Sequence, residues 1–284
     1  MKLDKTKKIL IVGLGLIGGS YAEALTDAGY EVGALDLNER SIDYALEHGM
    51  IAHGRSSVDS DYMGEFDVLV FALYPHTFVE WIENYQSYIK PGAVITDVTG
   101  VKCSIVYRIQ KVLREDVEYI GAHPMAGREV YGVENAKKEI FLGANYIVTP
   151  TSRNTEEAIV LAEELGSVIG FGSISRLSPD EHDEMIGFLS QLTHCIAVSL
   201  MTCKESESLV RYTGDSFRDL TRIAKINENM WTELFFANRE TLLREMDLFA
   251  EKFLALRDSI ASEDAEAVRE TMRLSTTRRK FFDK

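Results

Sequence analysis

The chain has 284 residues, 45% apolar and 27% charged, the balance of a water-soluble globular protein with one large domain or two ordinary ones. Its formal charge of -14 argues against non-specific nucleic-acid binding, which needs basic surface, and no run is expected to reach membrane-spanning length. Cys103, Cys195 and Cys203 form neither a CxxC pair nor a metal cluster, so they read as reduced and structural and no metal is expected. The first strand follows the N-terminus directly, without a separate targeting segment, and the expected location is the cytoplasm.

Lys8–Val12 reads as a buried strand, 17–28 as a helix, and Glu31–Leu35 as a second strand ending in Asp36. Between the first two lies Gly13-Leu14-Gly15-Leu16-Ile17-Gly18, and this βαβ context makes the glycine pattern a dinucleotide site. Gly13 permits the tight turn, Gly15 lets the backbone approach a pyrophosphate, and Gly18 lets helix and strand pack closely. The helix N-terminus at Leu16 and Ile17 offers free N–H groups to the phosphates. Asp36 is placed to accept the adenosine ribose hydroxyls and to repel a 2′-phosphate, which favours NAD. Arg40 keeps NADP open, and a helix N-cap is the plainer reading of Asp36.

Further apolar strands are expected at 67–72, 93–96, 117–121 and 145–149, with helices at 40–48, 76–88 and 102–114 and a short strand near 168–171. Continuous apolar strands separated by helices predict a mostly parallel sheet covered on both faces. From Asp180 onward the pattern turns helical, at 181–203, 206–212, 216–225, 228–259 and 261–280. The expected architecture is an α/β Rossmann-type doubly wound domain over 1–172, followed by an all-helical domain over 173–284. Wide apolar faces in the second domain predict a homodimer, a tightly packed monomeric bundle being the alternative.

In a doubly wound sheet the crevice lies beyond the C-terminal strand ends. Leu73-Tyr74-Pro75-His76, Asp97 to Lys102 and Gly121 to Gly127 follow such ends, the first of them on the nicotinamide side. His123, expected in a loop of small residues, is a candidate base because its ordinary pKa lies near working pH; capping a backbone group is its bland role. Gly187, Ser190, His194 and Ala197 share one helix face by three-to-four spacing, and so do Asp215, Asp219 and Arg222. An Arg beside an Asp is either a structural ion pair or a clamp for a substrate carboxylate.

Several segments together resemble the prephenate dehydrogenase family. They are Gly13 to Ser20, Asp97 to Lys102, Gly121-Ala-His-Pro-Met-Ala-Gly-Arg-Glu129, Ser178 to Asp183, Leu192-Thr-His194, and Phe217-Arg-Asp-Leu-Thr-Arg-Ile-Ala224 with Met230-Trp231. The resemblance implies NAD-dependent oxidative decarboxylation of prephenate to 4-hydroxyphenylpyruvate. It implies that His123 takes the ring hydroxyl proton, Arg222 binds a carboxylate, His194 and Trp231 lie at the substrate pocket, and Lys102 and Asp219 support them. The chain departs from the family at Gly100, where a Ser is usual; the adjacent Thr99 is the expected substitute hydroxyl, toward both catalysis and cofactor. No regulatory ACT module is expected after the helical domain. Arogenate is the rival substrate. A β-hydroxyacid dehydrogenase or imine reductase, and a non-enzymatic NAD-binding protein, are the alternatives from other classes.

Overall fold

The computed structural model describes residues 3–205 and 207–283. A six-stranded, all-parallel sheet is built from β1 (Lys8–Val12), β2 (Glu31–Leu35), β3 (His53–Arg55), β4 (Val68–Phe71), β5 (Val94–Asp97) and β6 (Glu118–Tyr119), in the order β3-β2-β1-β4-β5-β6. This is the order of a dinucleotide-binding doubly wound sheet. The connections carry α1 (Leu16–Asp27), α2 (Glu39–Glu47), α3 (Ser60–Met63), α4 (Pro75–Tyr85) and α5 (Cys103–Val112). Ile9 and Ile11 of β1 face a core with Tyr21 and Leu25 of α1, while Leu10 and Val12 face one with Phe78 and Ile82 of α4. Both faces are dry, which is why the strand reads as an unbroken apolar run.

After β6 a single residue, Ile120, separates the chain from a second sheet of β7 (Gly121–Met125), β8 (Asn145–Thr149) and β9 (Ser173–Arg176). β7 pairs antiparallel with β8, and β9 parallel with β8. His123 therefore lies on a strand, not in the expected loop. Pro124 is tolerated because β7 is an edge strand, where a missing N–H costs no ladder bond. The strand expected at 168–171 forms instead at β9, since those residues end an unanticipated helix, α6 (Glu156–Ile169), at the left-handed Gly170. Paired strand thus extends to Arg176.

Next come α7 (Pro179–Ile186), a π-helical segment over Gly187–Leu192, and α8 (Thr193–Thr202). This continuous helix, Pro179–Thr202, is long and apolar enough by length and composition to span a membrane, which corrects the expectation that no run would be. The helix expected at 206–212 is reduced to a 3₁₀ turn at Leu209–Tyr212, Ser206 lying outside the described residues. α9 (Asp215–Thr221) and α10 (Glu228–Ala237) follow. The expected helix 228–259 breaks at Asn238, and α11 (Arg239–Ala261) and α12 (Ala265–Arg279) complete the chain. The chain divides into two compact units, Met1–Asn238 and Arg239–Lys284. All the site residues discussed below belong to the first, and α11 and α12 pack on each other within the second.

Candidate active site

The Gly-rich turn fits a dinucleotide. Gly13 has φ +98°, and a Cβ on Gly18 would stand 1.9 Å from the Gly13 carbonyl oxygen, so neither position accepts a side chain. A Cβ on Gly15 would meet nothing within 4 Å, which leaves the approach to the α1 N-terminus open. No side chain of the N-cap residue binds that helix end, and Leu16 and Ile17 occupy its first turn. Asp36 accepts from the Leu14 N–H at 2.6 Å and from the Asn38 N–H at 2.8 Å, so its carboxylate stands against the turn. The N-cap of α2 is Asn38, which removes the plainer reading of Asp36. Arg40 is exposed in the first turn of α2, its backbone N–H bonded to Asn38.

His123 forms one end of a chain of three side chains. Its Nδ1 is 2.8 Å from His182 Nε2, and His182 Nδ1 is 2.7 Å from Asp183 Oδ1. Asp183 also accepts the backbone N–H groups of Lys102 and Cys103, both at 2.8 Å, and so caps α5, where a helix end favours negative charge. Burial pushes the Asp183 carboxyl up, but the bonds from His182, Cys103 and Lys102 bring it below the usual carboxylate range. Burial, the neighbouring His182 and the Lys102 charge hold His123 well below the ordinary histidine value. Burial lowers His182 as well, against the pull of Asp183. With Asp183 ionised and both rings neutral, the hydrogen-bond order fixes the tautomers: each Nδ1–H donates and His123 Nε2 keeps its lone pair.

Beneath this chain Lys102 is fully buried. Its Nζ donates to Asp97 Oδ2 at 2.7 Å, to Thr99 Oγ1 at 3.1 Å and to the Ala122 carbonyl at 2.5 Å. Asp97 further accepts from the Tyr119 hydroxyl at 2.9 Å and from the Ala122 N–H at 3.2 Å. Burial lowers the Lys102 pKa and Asp97 opposes that shift. The Thr99 hydroxyl lies between Asp97 and the Val101 carbonyl, inside this buried network. The hydroxyl is engaged in this network and not directed at His123, where the family's Ser was expected to find its substitute. Lys102 likewise acts through position alone, being wholly enclosed. A Cβ on Gly100 would stand 3.8 Å from His123 Nε2 and 3.6 Å from Leu234, in ordinary contact, so glycine leaves side-chain space unused beside the free nitrogen.

His194 and Trp231 are in close contact, with ring centroids 3.7 Å apart and planes inclined by 31°. His194 Nδ1–H donates to the Ser190 carbonyl at 2.9 Å, and burial, partly opposed by that bond, keeps the ring's pKa low. Arg222 pairs with Glu129 at 2.5 Å, not with Asp219, which is exposed on the adjoining helix. Both Arg222 and Glu129 lie close enough to His194 to influence its charge. The pair is solvent-exposed, with Arg222 65% accessible, so its net worth is small and exchange of Glu129 for another carboxylate costs little. His182, Asp183, Glu129, Gln191 and Asn238 had no assigned role. Only the Ser178–Glu181 capping box before the His182-Asp183 pair is a local signal, because the other partners are remote in sequence.

Residues 21–171 match the family model described as the prephenate dehydrogenase nucleotide-binding domain, and 178–274 the prephenate dehydrogenase dimerization domain. Prephenate dehydrogenase of Bacillus subtilis is 32% identical over 91% of this chain and 71% of its own length. Cyclohexadienyl dehydrogenase of Zymomonas mobilis is 28% identical over 92% of this chain and 90% of its own length. The structure of prephenate dehydrogenase from Aquifex aeolicus, in complex with hydroxyphenyl propionate and NAD+, superposes with a TM-score of 0.89 at 28% identity, covering 98% of each chain. Arogenate dehydrogenase of Synechocystis, 21% identical with a TM-score of 0.82 over 97% of this chain and all of its own, shares the fold. With a Rossmann half carrying an open phosphate turn, a histidine chain at its strand ends and family matches over most of its length, the chain belongs to the prephenate dehydrogenase family.

Proposed function

We propose that the protein oxidises and decarboxylates prephenate to 4-hydroxyphenylpyruvate and CO2 with NAD as oxidant. The observation that carries this reading is the Asp183–His182–His123 chain, which leaves a lone pair on His123 Nε2 beside the open space at Gly100. Asp36 supports NAD, because its carboxylate would repel a 2′-phosphate. The oxidised nicotinamide, when bound at the Gly-rich turn, supplies the hydride acceptor.

His123 Nε2 accepts the ring hydroxyl's hydrogen bond and stabilises the positive charge that grows on C4 as hydride leaves. The bond from C1 to its carboxylate breaks, CO2 departs, and the electron pair of that bond enters the ring, which becomes aromatic. The hydroxyl proton is restored to the phenol oxygen, so no net proton is consumed. His182 and Asp183 disperse positive charge arriving on His123 and hold its tautomer. Arg222 exchanges Glu129 for a substrate carboxylate, to which its planar fork is suited. His194, neutral and packed against Trp231, offers Nε2 to the substrate's polar end.

We also propose that the protein works as a homodimer through its helical half. Supporting this are the exposed Phe236, Phe253, Met272 and Leu274 and a family model described as a dimerization domain. Patches of large apolar side chains are what soluble monomers avoid. Light scattering should give about twice the chain mass of 32.0 kDa; a value at the chain mass would overturn the proposal.

Prephenate with NAD should generate NADH absorbance at 340 nm, with kcat/KM at least about tenfold above that with NADP, roughly 1.4 kcal/mol. Asp36→Ser should narrow the gap, and equal efficiencies in the parent protein would refute the assignment of Asp36. Replacing His123 with Asn should cut kcat about 10²- to 10⁴-fold while leaving NAD affinity intact. Because the base must be neutral and its pKa is depressed, parent kcat/KM should stay level as pH falls through about 6.5 and decline only at more acid pH. Stability has the same sign: the unfolded chain binds the histidine protons that His123 and His182 refuse, so denaturant midpoints should fall as pH drops below about 6.5. A midpoint that rises on acidification would contradict the buried neutral pair. Arg222→Ala should chiefly raise the prephenate KM, since a clamp acts in both ground and transition states; a change confined to thermal stability would favour a structural ion pair.

A further inference from the structure

The helix from Pro179 to Thr202 is not uniform, and its irregular turn lies between the two histidines that it carries toward the site. With about 100° per residue, an unbroken α-helix would put His194 about 120° around the axis from His182. A π-turn absorbs one additional residue, and removing its roughly 100° leaves the two histidines within about 20° of one face. The π segment Gly187–Leu192 is therefore what allows one helix to supply His182 to the buried chain and His194 to the pocket.

Side chains take up the carbonyls that the wider turn redirects. Ser190 O accepts from Thr193 Oγ1 at 2.6 Å and from His194 Nδ1 at 2.9 Å. A second set of bonds ties the turn to α10. Gln191 Nε2 donates to the Leu234 carbonyl at 2.9 Å, and Asn238 Nδ2 donates to Gln191 Oε1 at 2.9 Å and to the Asp183 carbonyl at 2.8 Å. Gln191 is 1% and Asn238 7% exposed. Two carboxamides this deeply buried are costly unless bonded, and here they bridge the two ends of the π segment to the helix that bears Trp231.

We propose that Gln191 and Asn238 are positioning residues that lock the π-turn and thereby hold His194 against Trp231 at the substrate pocket. The proposal rests on the reading of His194 as a pocket residue, so its primary test uses no substrate. The chain has two tryptophans, and Trp81→Phe leaves Trp231 as the sole indole. A protonated imidazole held 3.7 Å from an indole quenches its emission, so emission is read at a pH acid enough to charge His194, and His194→Ala in that background sets the unquenched level. Asn238→Leu and, separately, Gln191→Met keep volume while removing the bonds. Each should raise Trp231 emission at least halfway to the His194→Ala level.

In the otherwise native protein the same two substitutions should raise the prephenate KM about tenfold or more. The acid limb of kcat should not move, because it belongs to His123. Gln191→Met is the variant to read if Asn238→Leu fails to fold, since it leaves the Asn238–Asp183 bond in place; circular dichroism identifies the folded protein. Parent-level emission and KM in a folded variant would overturn the proposal, even if its melting temperature fell. An absence of prephenate turnover in the parent protein would instead refute the functional reading and leave the emission result to decide the role of the turn.

Discussion

The Lys102 ammonium lies wholly inside the protein, 2.7 Å from Asp97, and the same nitrogen donates to the Ala122 carbonyl one residue before His123. Asp97 in turn accepts from Tyr119 and from the Ala122 N–H. This one pair joins the end of β5, the start of α5 and the strand bearing His123. Charges this deep bring little net stability, because desolvation offsets their attraction, yet losing one partner strands the other at about 3–5 kcal/mol. The return on that cost is geometric. Two sheets joined in sequence by Ile120 and packed on one core are held so that His123 stands beside Gly100, just past the end of β5.

Charge is distributed around that anchor by depth. Near Lys102 both histidines stay neutral, since burial and the cation beside them oppose a second positive charge. Asp97, Lys102 and Asp183 are each held by several hydrogen bonds. At the exposed end, Arg222 and Glu129 form a pair of low net worth, the kind of contact that can be traded for a substrate group. A rigid interior with a replaceable rim fits a reaction whose energetic drive comes from making an aromatic ring.

Local pattern disclosed much of this, and its failures have separate physical origins. β1, α1 and β2 were legible because apolar strands, glycines and Asp36 agree with one another. α6 was overlooked although its buried residues, Ala158, Ile159, Leu161, Ala162, Leu165, Gly166 and Ile169, recur at the three-to-four spacing of an amphipathic helix and Thr155 caps it, so its signal was present in the sequence. His123 read as a loop residue because Gly121 and Pro124 are turn formers, and only the edge position of β7 makes them acceptable. Spacing grouped His194 with Gly187 and Ser190 on the assumption of a regular helix, which the π-turn breaks. The partner of Arg222 is Glu129, far away in sequence, and no local period points to it.

The uncapped N-terminus of α1 has a meaning that emerges only beside its neighbours. α2 is capped by Asn38, α3 by Asp59 and α6 by Thr155. The first turn of α4 gives the His76 N–H to Glu233 from α10, and α5 gives two N–H groups to Asp183 from α7. Among α1 to α6, then, α1 alone keeps its first N–H groups free of any side-chain acceptor shown in the structure. The N-termini of α2 to α6 are already occupied by the protein's own oxygens. Among the six helices α1 to α6 a diffusing diphosphate thus finds one open end, and selectivity for where it lands comes as much from five helix ends closed as from one left open.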